Sequence, residues 1–368
     1  MPTDPLYILL AGQWTDAAEA ARWQAELQPA LAAALPQARL ITQREAAPRP
    51  QDIAVVIAAN PPPGSLHGLP GLRLIQSLWA GVDRLLADPD LPAGVPVARM
   101  VDPAMNAAMA ETACWAVLGL HRGFFDYQAQ QAAGRWQPLP QCRADEVPVL
   151  VLGAGQMGLT TARQLMALGY PVTVWGRAAG TQAAPAAEEK TTAAMHEACA
   201  DAGPAEPSTM PAAPATPWTA AAPGTAQAPA PRRIDGRPAL MAACAGARIV
   251  VNLLPLTPET RGLIDARLLA ALPDGASVVN LARGAHVVDA DLQAALDSGR
   301  LSRAVLDVFH QEPLPADHPW WRHPRITVLP HAAAQTDPRS ASRIAAEQIA
   351  DALAGRPLRH TVDRGRGY

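Results

Sequence analysis

Cysteine is scarce and scattered. Four residues in 368, Cys114, Cys142, Cys199 and Cys244, lie far apart and form no Cys-x-x-Cys pair, so neither a disulfide framework nor a zinc site is indicated. A basic excess is missing too. Lys and Arg number 30 against 33 Asp and Glu, a net charge of −3. That is too little positive charge to neutralise a run of phosphates, and nucleic acid is not an expected partner. No stretch reaches about 18 uninterrupted apolar residues, and the N-terminus has no charged region leading into an apolar core and a small-residue cleavage site. Gly-x-Ser-x-Gly, a P-loop and His-Glu-x-x-His are all absent, which leaves hydrolase, kinase and zinc-protease readings unsupported. The expectation is a soluble, cytoplasmic protein with no metal and no membrane contact.

Apolar residues are plentiful, at 49%, and the length suggests two domains, each with its own core. Proline, 38 residues, runs at about twice the ordinary usage of roughly 5%. Much of the excess falls in Gly203–Pro231, where 18 of 29 residues are Ala or Pro and Trp218 is the single aromatic. Such a stretch buries too little apolar area to offset its ordering entropy. Residues 178–231 therefore read as a flexible insertion, with a helical patch near Glu188–Ala200, placed within a domain because the patterns on either side belong together.

Elsewhere short apolar runs alternate with helical stretches. Strands are expected at Leu6–Leu10, Arg39–Thr42, Ile53–Ala58, Leu72–Leu78 and Val95–Met100, with Thr15 capping an Ala-rich helix to about Ala34. The runs are apolar throughout rather than alternating, as parallel strands covered on both faces require. One long helix is expected from Pro103 to about Ala133, carrying the aromatic cluster Phe124, Phe125 and Tyr127, with Trp136 beyond it. Core packing and a subunit interface both account for that cluster.

A second unit opens with the strand Val147–Leu152, the run Gly153-Ala-Gly155-Gln156-Met157-Gly158, a helix to Leu168, Gly169 as its stop and the strand Val172–Trp175. Gly153 permits a tight turn, Gly155 lets backbone approach a pyrophosphate, and Gly158 lets the helix pack against the strand with its N-terminus on the phosphates. A dinucleotide site is expected there, with Gln156 and Met157 between its glycines. The second strand ends in Gly176-Arg177 where an NAD site usually carries Asp or Glu. A carboxylate would repel a 2′-phosphate, whereas a small residue followed by Arg makes room for one and pairs with it. NADP is thus preferred, with NAD possible. Arg232 and Arg233, beyond the insertion, are candidates to reach the same phosphate.

Further strands at Ile249–Leu254, Ser277–Leu281, Ala304–Val308 and Ile326–Leu329 end respectively in Pro255, Ala282-Arg283-Gly284, Phe309-His310-Gln311-Glu312-Pro313 and Pro330-His331. Ligands of an open parallel sheet gather at the carboxyl ends of strands, so one cleft can collect Arg283, Glu312 and His331. That set suits reduction of a 2-oxo acid. Arg283 would hold the carboxylate and polarise the keto oxygen, His331 would donate the proton, and Glu312 would orient the imidazole. Asp307 would serve the nicotinamide side.

These residues resemble the D-2-hydroxyacid dehydrogenase family. The likeness rests on Gly153–Gly158, Asn280-Leu-Ala-Arg-Gly284, Leu306-Asp-Val-Phe309 with Glu312-Pro313, and Pro330-His331-Ala-Ala333. Within the family it runs to the bacterial A-type reductases of glyoxylate and hydroxypyruvate, through Trp136-Gln-Pro-Leu-Pro140, Asn252-Leu-Leu-Pro255, Thr257-Pro-Glu-Thr260 and the ending Val362-Asp-Arg-Gly-Arg-Gly-Tyr368. It covers nearly the whole chain outside the insertion. The resemblance implies an α/β fold of two Rossmann-like lobes with a cleft between them. Residues 1–105 with 336–368 would form the substrate lobe and 106–335 the NAD(P)-binding lobe. It also implies a homodimer, Arg283 and His331 as the catalytic pair with Glu312 as partner, and the loop Trp79, Ala80, Gly81 and Val82 as receiver of the substrate carboxylate. Leu254, Pro255, Thr260, Ala282 and Ala333 would line the cofactor with Asp307. Trp79 is bulkier than expected in that loop, which fits a small acid. Two competing readings are a dehydrogenase for a larger 2-hydroxy acid and a nucleotide-sensing, corepressor-like binding protein.

Overall fold

The computed structural model describes residues 6–176 and 230–368. Arg177 and the expected insertion as far as residue 229, its helical patch and Trp218 included, lie outside them. Five strands, β1 (Leu6–Gly12), β2 (Ala38–Ile41), β3 (Ile53–Ala59), β4 (Leu74–Ser77) and β5 (Val97–Ala98), pair in parallel in the order 2-1-3-4-5. Seven more, β6 (Val149–Leu152), β7 (Val172–Trp175), β8 (Arg232–Ile234), β9 (Ile249–Asn252), β10 (Ala276–Asn280), β11 (Leu301–Leu306) and β12 (Ile326–Val328), form a second parallel sheet in the order 12-11-10-9-6-7-8. Both are doubly wound α/β sheets of the Rossmann type. Their strand order reverses between β1 and β3 in the first and between β6 and β9 in the second, and such reversals open crevices at the strands' carboxyl ends.

Burial explains the composition of these strands. All seven residues of β3 and all five of β10 are buried, because helices cover both faces. The helix Ala17–Ala34 buries Trp23, Leu27 and Leu31 against the first sheet, and a fully buried leucine stabilises by roughly 2 kcal/mol. The helix Pro338–Leu353 packs Ala341, Ala345, Ala346 and Ile349 into the same core. The chain's ending adds to this lobe's edge. The Val362 amide bonds the Val97 carbonyl at 2.8 Å, and Arg364 clamps the carbonyls of Pro92 and Val95.

Two local expectations are corrected. Asp16, not Thr15, caps the first helix. Its Oδ1 accepts the Glu19 amide at 2.7 Å while the Thr15 hydroxyl turns to Glu19 Oε2. The long helix after Pro103 is two helices, Pro103–His121 and Phe124–Ala132, broken at Gly123, whose φ of 67° is left-handed. The break folds the Phe125 ring onto Gly119 and edge-on to Trp115, ring centroids 5.4 Å apart, while Phe124 and Trp136 are exposed. Arg232 and Arg233 lie on β8, paired with Thr173 and Val174 of β7. A three-residue edge strand with two exposed arginines has no apolar run to announce it.

Candidate active site

At the glycine turn each glycine has a separate reason. Gly153 takes φ 121°, closed to side-chain-bearing residues. A Cβ on Gly158 would stand 1.8 Å from the Gly153 carbonyl oxygen, so only hydrogen allows the helix Gln156–Ala167 to seat on β6. A Cβ on Gly155 would meet nothing within 4 Å. The space before that helix is open, and Gly155 caps it without a side-chain bond. The first intrahelical bond runs from the Leu159 amide to the Gly155 carbonyl, which leaves the preceding amides directed out of the helix end. An open space facing free amides and the positive end of a helix fits a pyrophosphate. Gly176 closes the floor, since a Cβ there would come within 2.4 Å of the Ala154 Cβ.

Across the crevice, the β4 end carries the loop expected to receive a carboxylate. Trp79 is tied down: its amide donates to Ser77 Oγ at 3.0 Å, its carbonyl accepts from that hydroxyl and from the Met100 amide, and its ring meets Trp23 edge-on at 5.8 Å. The Trp79 amide is therefore not available, contrary to expectation. The amides of Ala80, Gly81 and Val82 have no acceptor among the described residues. Gly81 lies directly under Arg283, where a Cβ would fall 1.5 Å from Nη2.

Arg283, at the β10 end, spans the cleft. Its Nε and Nη2 donate to Asp83 Oδ1 at 3.0 and 2.9 Å, and Nη1 to the Ala282 carbonyl at 2.7 Å. Although burial works to raise it, the Asp83 carboxyl sits below its ordinary range because the Arg283 charge and hydrogen bond favour the ionised form. A buried asparagine pair shapes the backbone beneath. Asn252 Nδ2 donates to Asn280 Oδ1, which also accepts the Ala282 amide, while Asn280 Nδ2 donates to the Arg283 carbonyl at 2.9 Å. Gly284 then packs against the Phe309 backbone so closely that a Cβ would lie 2.1 Å from its carbonyl carbon.

His331 Nδ1 meets Glu312 Oε2 at 2.8 Å, and Glu312 Oε1 accepts the Phe309 amide at 2.9 Å. Partial burial raises the Glu312 carboxyl, but the His331 hydrogen bond, the Phe309 amide and the charges of His331 and Arg84 hold it below its ordinary value. The imidazole is half exposed, with Nδ1 engaged and Nε2 free to face the cleft. Its backbone is left-handed, φ 54°, a conformation that costs a non-glycine residue and persists only when its surroundings impose it. The surroundings are Asp307. Its carbonyl accepts the His331 amide at 2.9 Å, and its carboxylate takes the Ala332 and Ala333 amides at 2.7 and 3.0 Å.

Several expected cofactor contacts thus have other partners. Asp307 is 1% exposed and spends its carboxylate on the His331 turn; burial pushes its carboxyl upward against those two amides. Thr260 is buried, with its hydroxyl donating to the Pro255 carbonyl and accepting the Thr257 amide, both at 2.8 Å. Leu254, Ala282 and Ala333 are buried, whereas Pro255 is partly open. Arg283, Glu312 and His331 do line one cleft, of about 650 Å³, together with Trp79, Gly81 and Asp83. Sequence reasoning missed Asp83 as the partner of Arg283, Arg84 beside it, and the Asn252–Asn280 pair. The asparagines carried a signal, each being a polar residue that closes a Val-Val run at a strand's end.

The family model described as "D-isomer specific 2-hydroxyacid dehydrogenase, NAD binding domain" matches residues 114–204 and 226–333. Glyoxylate/hydroxypyruvate reductase A of Klebsiella pneumoniae is 38% identical over 351 residues, 94% of this chain and 96% of that protein. The D-isomer specific 2-hydroxyacid dehydrogenase of Xanthobacter autotrophicus Py2, solved in complex with NADPH and MES, superposes with a TM-score of 0.77 at 33% identity and full coverage of both chains. The NADPH-dependent glyoxylate/hydroxypyruvate reductase of Sinorhizobium meliloti, in complex with NADP and sulfate, gives 0.75 at 29% identity, covering 99% of this chain and 100% of that one. With these matches and a glycine turn facing an Arg–Glu–His cleft, the chain belongs to the D-isomer specific 2-hydroxyacid dehydrogenase family.

Proposed function

We propose that this protein is an NADPH-dependent reductase of small 2-oxo acids, converting glyoxylate to glycolate and hydroxypyruvate to D-glycerate. The observation that carries the reading is the His331–Glu312 pair standing opposite Arg283 in one cleft. The glycine turn 153–158 would hold the pyrophosphate, and NADPH supplies the hydride when bound. The remaining chemistry belongs to the chain. The free amides of Ala80, Gly81 and Val82, with Arg283, take the substrate carboxylate, and the guanidinium polarises the keto oxygen. His331 Nε2 delivers a proton to that oxygen as negative charge develops on it. Glu312 fixes the ring through Nδ1, while Asp307 keeps the turn in place without touching substrate.

Residues 1–105 with 336–368 act as a lid over 106–335, since Asp83 and Arg283 meet from opposite walls of the cleft. NADPH rather than NADH is favoured by Gly176, which leaves no carboxylate at the β7 end, followed by Arg177. Two copies associate through the exposed apolar side chains Trp115, Phe124 and Trp136, the last 98% exposed, because exposed apolar area of that kind favours burial against a partner. The reading places the protein in the cytoplasm, consistent with Cys142 as an exposed free thiol.

The test is loss of NADPH absorbance, and separately of NADH absorbance, with glyoxylate, hydroxypyruvate and pyruvate. Turnover with NADPH and the two small acids, abolished in His331→Ala, is expected. Binding of NADPH without turnover of any of them refutes the reading. Light scattering of the purified chain tests the dimer, and a monomeric mass at micromolar concentration excludes it.

A further inference from the structure

The charged side chains lining the cleft include three carboxylates, and each is committed. Glu19 accepts from the amide and hydroxyl of Thr15, Asp83 from Arg283, and Glu312 from His331. Three arginines line the same cleft, and among the described residues only Arg283 has a partner. Arg22 and Arg84 make no hydrogen bond or ion pair with any described residue, and Asn60, held at a left-handed φ of 48° at the β3 end, offers an amide to the cleft without a partner. Arg84 stands at the centre of this imbalance. It follows Asp83 directly, and its charge acts on both Asp83 and Glu312, so it faces the reacting region from the lid side. The three arginines and three carboxylates of the lining balance in charge, but the carboxylates are spent on other partners while the guanidinium donors of Arg22 and Arg84 are not. Unspent guanidinium donors of this kind match a carboxylate in shape and charge.

We infer that Arg84, backed by Arg22 and Asn60, forms a subsite for an anionic group on the substrate's far side, and that the enzyme prefers 2-oxo acids bearing a second carboxylate over equally long acids without one. The inference rests on the proposed reductase reading. Arg283 and the amides of 80–82 take the first carboxylate, and Arg84 takes the second. Since charge-assisted hydrogen bonds are the strong ones, the preference should amount to about tenfold in kcat/KM.

The experiment compares oxaloacetate with 2-oxobutanoate, four-carbon 2-oxo acids that differ by a carboxylate in place of a methyl, in the native enzyme, Arg84→Gln and Arg84→Lys, with NADPH saturating. The ratio of the two kcat/KM values is expected to exceed one in the native enzyme, to fall about tenfold in Arg84→Gln and to recover in part in Arg84→Lys. A ratio that does not change in Arg84→Gln, or is below one in the native enzyme, overturns the assignment. An equal loss for both acids with a displaced acid limb of the pH profile also overturns it, because Arg84 then acts only through the Glu312–His331 pair. Calorimetry with malonate against acetate, on protein saturated with NADP, separates this from the reductase reading. A malonate preference that disappears in Arg84→Gln supports the subsite even if no acid is turned over, and no preference refutes it even if glyoxylate is reduced.

Discussion

Gly81→Ala tests the cleft at its tightest point. The added methyl would stand 1.5 Å from Arg283 Nη2, 2.8 Å from Cζ and 3.2 Å from Asp83 Oδ1. Ordinary contact is near 3.5 Å, so the guanidinium must retreat by about 2 Å. Its ion pair with Asp83, now 2.9 Å, cannot survive that displacement. The backbone at Gly81 has no positive φ, so the chain itself tolerates alanine and the strain falls on the end of a flexible side chain. The cost to folding is therefore small. Arg283 and Asp83 are each 29% exposed, and a pair that open contributes about 1 kcal/mol or less, a fall in Tm of about 4 °C at most. The cost to catalysis is large, because a misplacement of 1 Å can remove about 100-fold in rate. Glyoxylate kcat/KM should drop by at least that factor, while the KM for NADPH, bound at the other wall, changes by no more than about threefold. Retention of glyoxylate kcat/KM within threefold, with Tm unchanged, would refute the assignment of Arg283 to the substrate carboxylate. A collapse in Tm would instead refute the packing argument.

Three further substitutions and one pH series follow from the same geometry. Gly155→Ala meets no protein atom within 4 Å, so thermal unfolding should match the native protein while the KM for NADPH rises about tenfold or more through collision with the pyrophosphate; an unchanged KM would place the cofactor elsewhere. Gly158→Ala strikes the Gly153 carbonyl at 1.8 Å and should cost about 3 kcal/mol in denaturant unfolding. His331→Ala should lower kcat by about 100-fold or more, the usual worth of a general acid, with little change in Tm because the side chain is half exposed. The Glu312 carboxyl is held below its ordinary 4.5, so its contribution to stability is present at neutral pH and is lost only as pH falls through that lowered value. The stability difference between native and Glu312→Gln should therefore persist as pH falls from 6 to 5 and shrink below about 4.5, and a difference already shrinking as pH falls below 6 would contradict it.

What could be read from the chain divides by the range of the interaction. Strands β3, β7 and β10 declared themselves as apolar runs because both their faces are covered, and a residue such as Arg283 or His331 stands out where such a run stops. The glycine turn was legible because its constraints act within six residues. Local competition was harder to resolve: Thr15 and Asp16 are both good caps, and only the helix's first turn decides that Asp16 takes the Glu19 amide. Gly123 lay inside an otherwise helical pattern, and its left-handed φ depends on Phe125 reaching back to Gly119. Least legible were the pairings at long range. Asp83 and Arg283 are 200 residues apart, and nothing near either one specifies the other.

Two of the expected cofactor residues share one physical constraint. Thr260 and Asp307 are polar residues at strand ends, which is where ligand contacts are sought, yet both are buried and satisfied by backbone. A parallel strand that stops at a ligand cleft must turn sharply, and the turn leaves amides and carbonyls that no ladder satisfies. Those groups need side-chain partners before any ligand does. Asp307 serves the Ala332 and Ala333 amides, Asn280 the Ala282 amide and the Arg283 carbonyl, and Thr260 the Pro255 carbonyl. With those obligations met, Arg283, Glu312 and His331 keep polar atoms turned to the cleft. A polar residue at a strand's end is thus as often the fastening of the turn as the tool it presents, and burial separates the two: Asp307 is 1% exposed, while the His331 side chain it holds in place is 50% exposed.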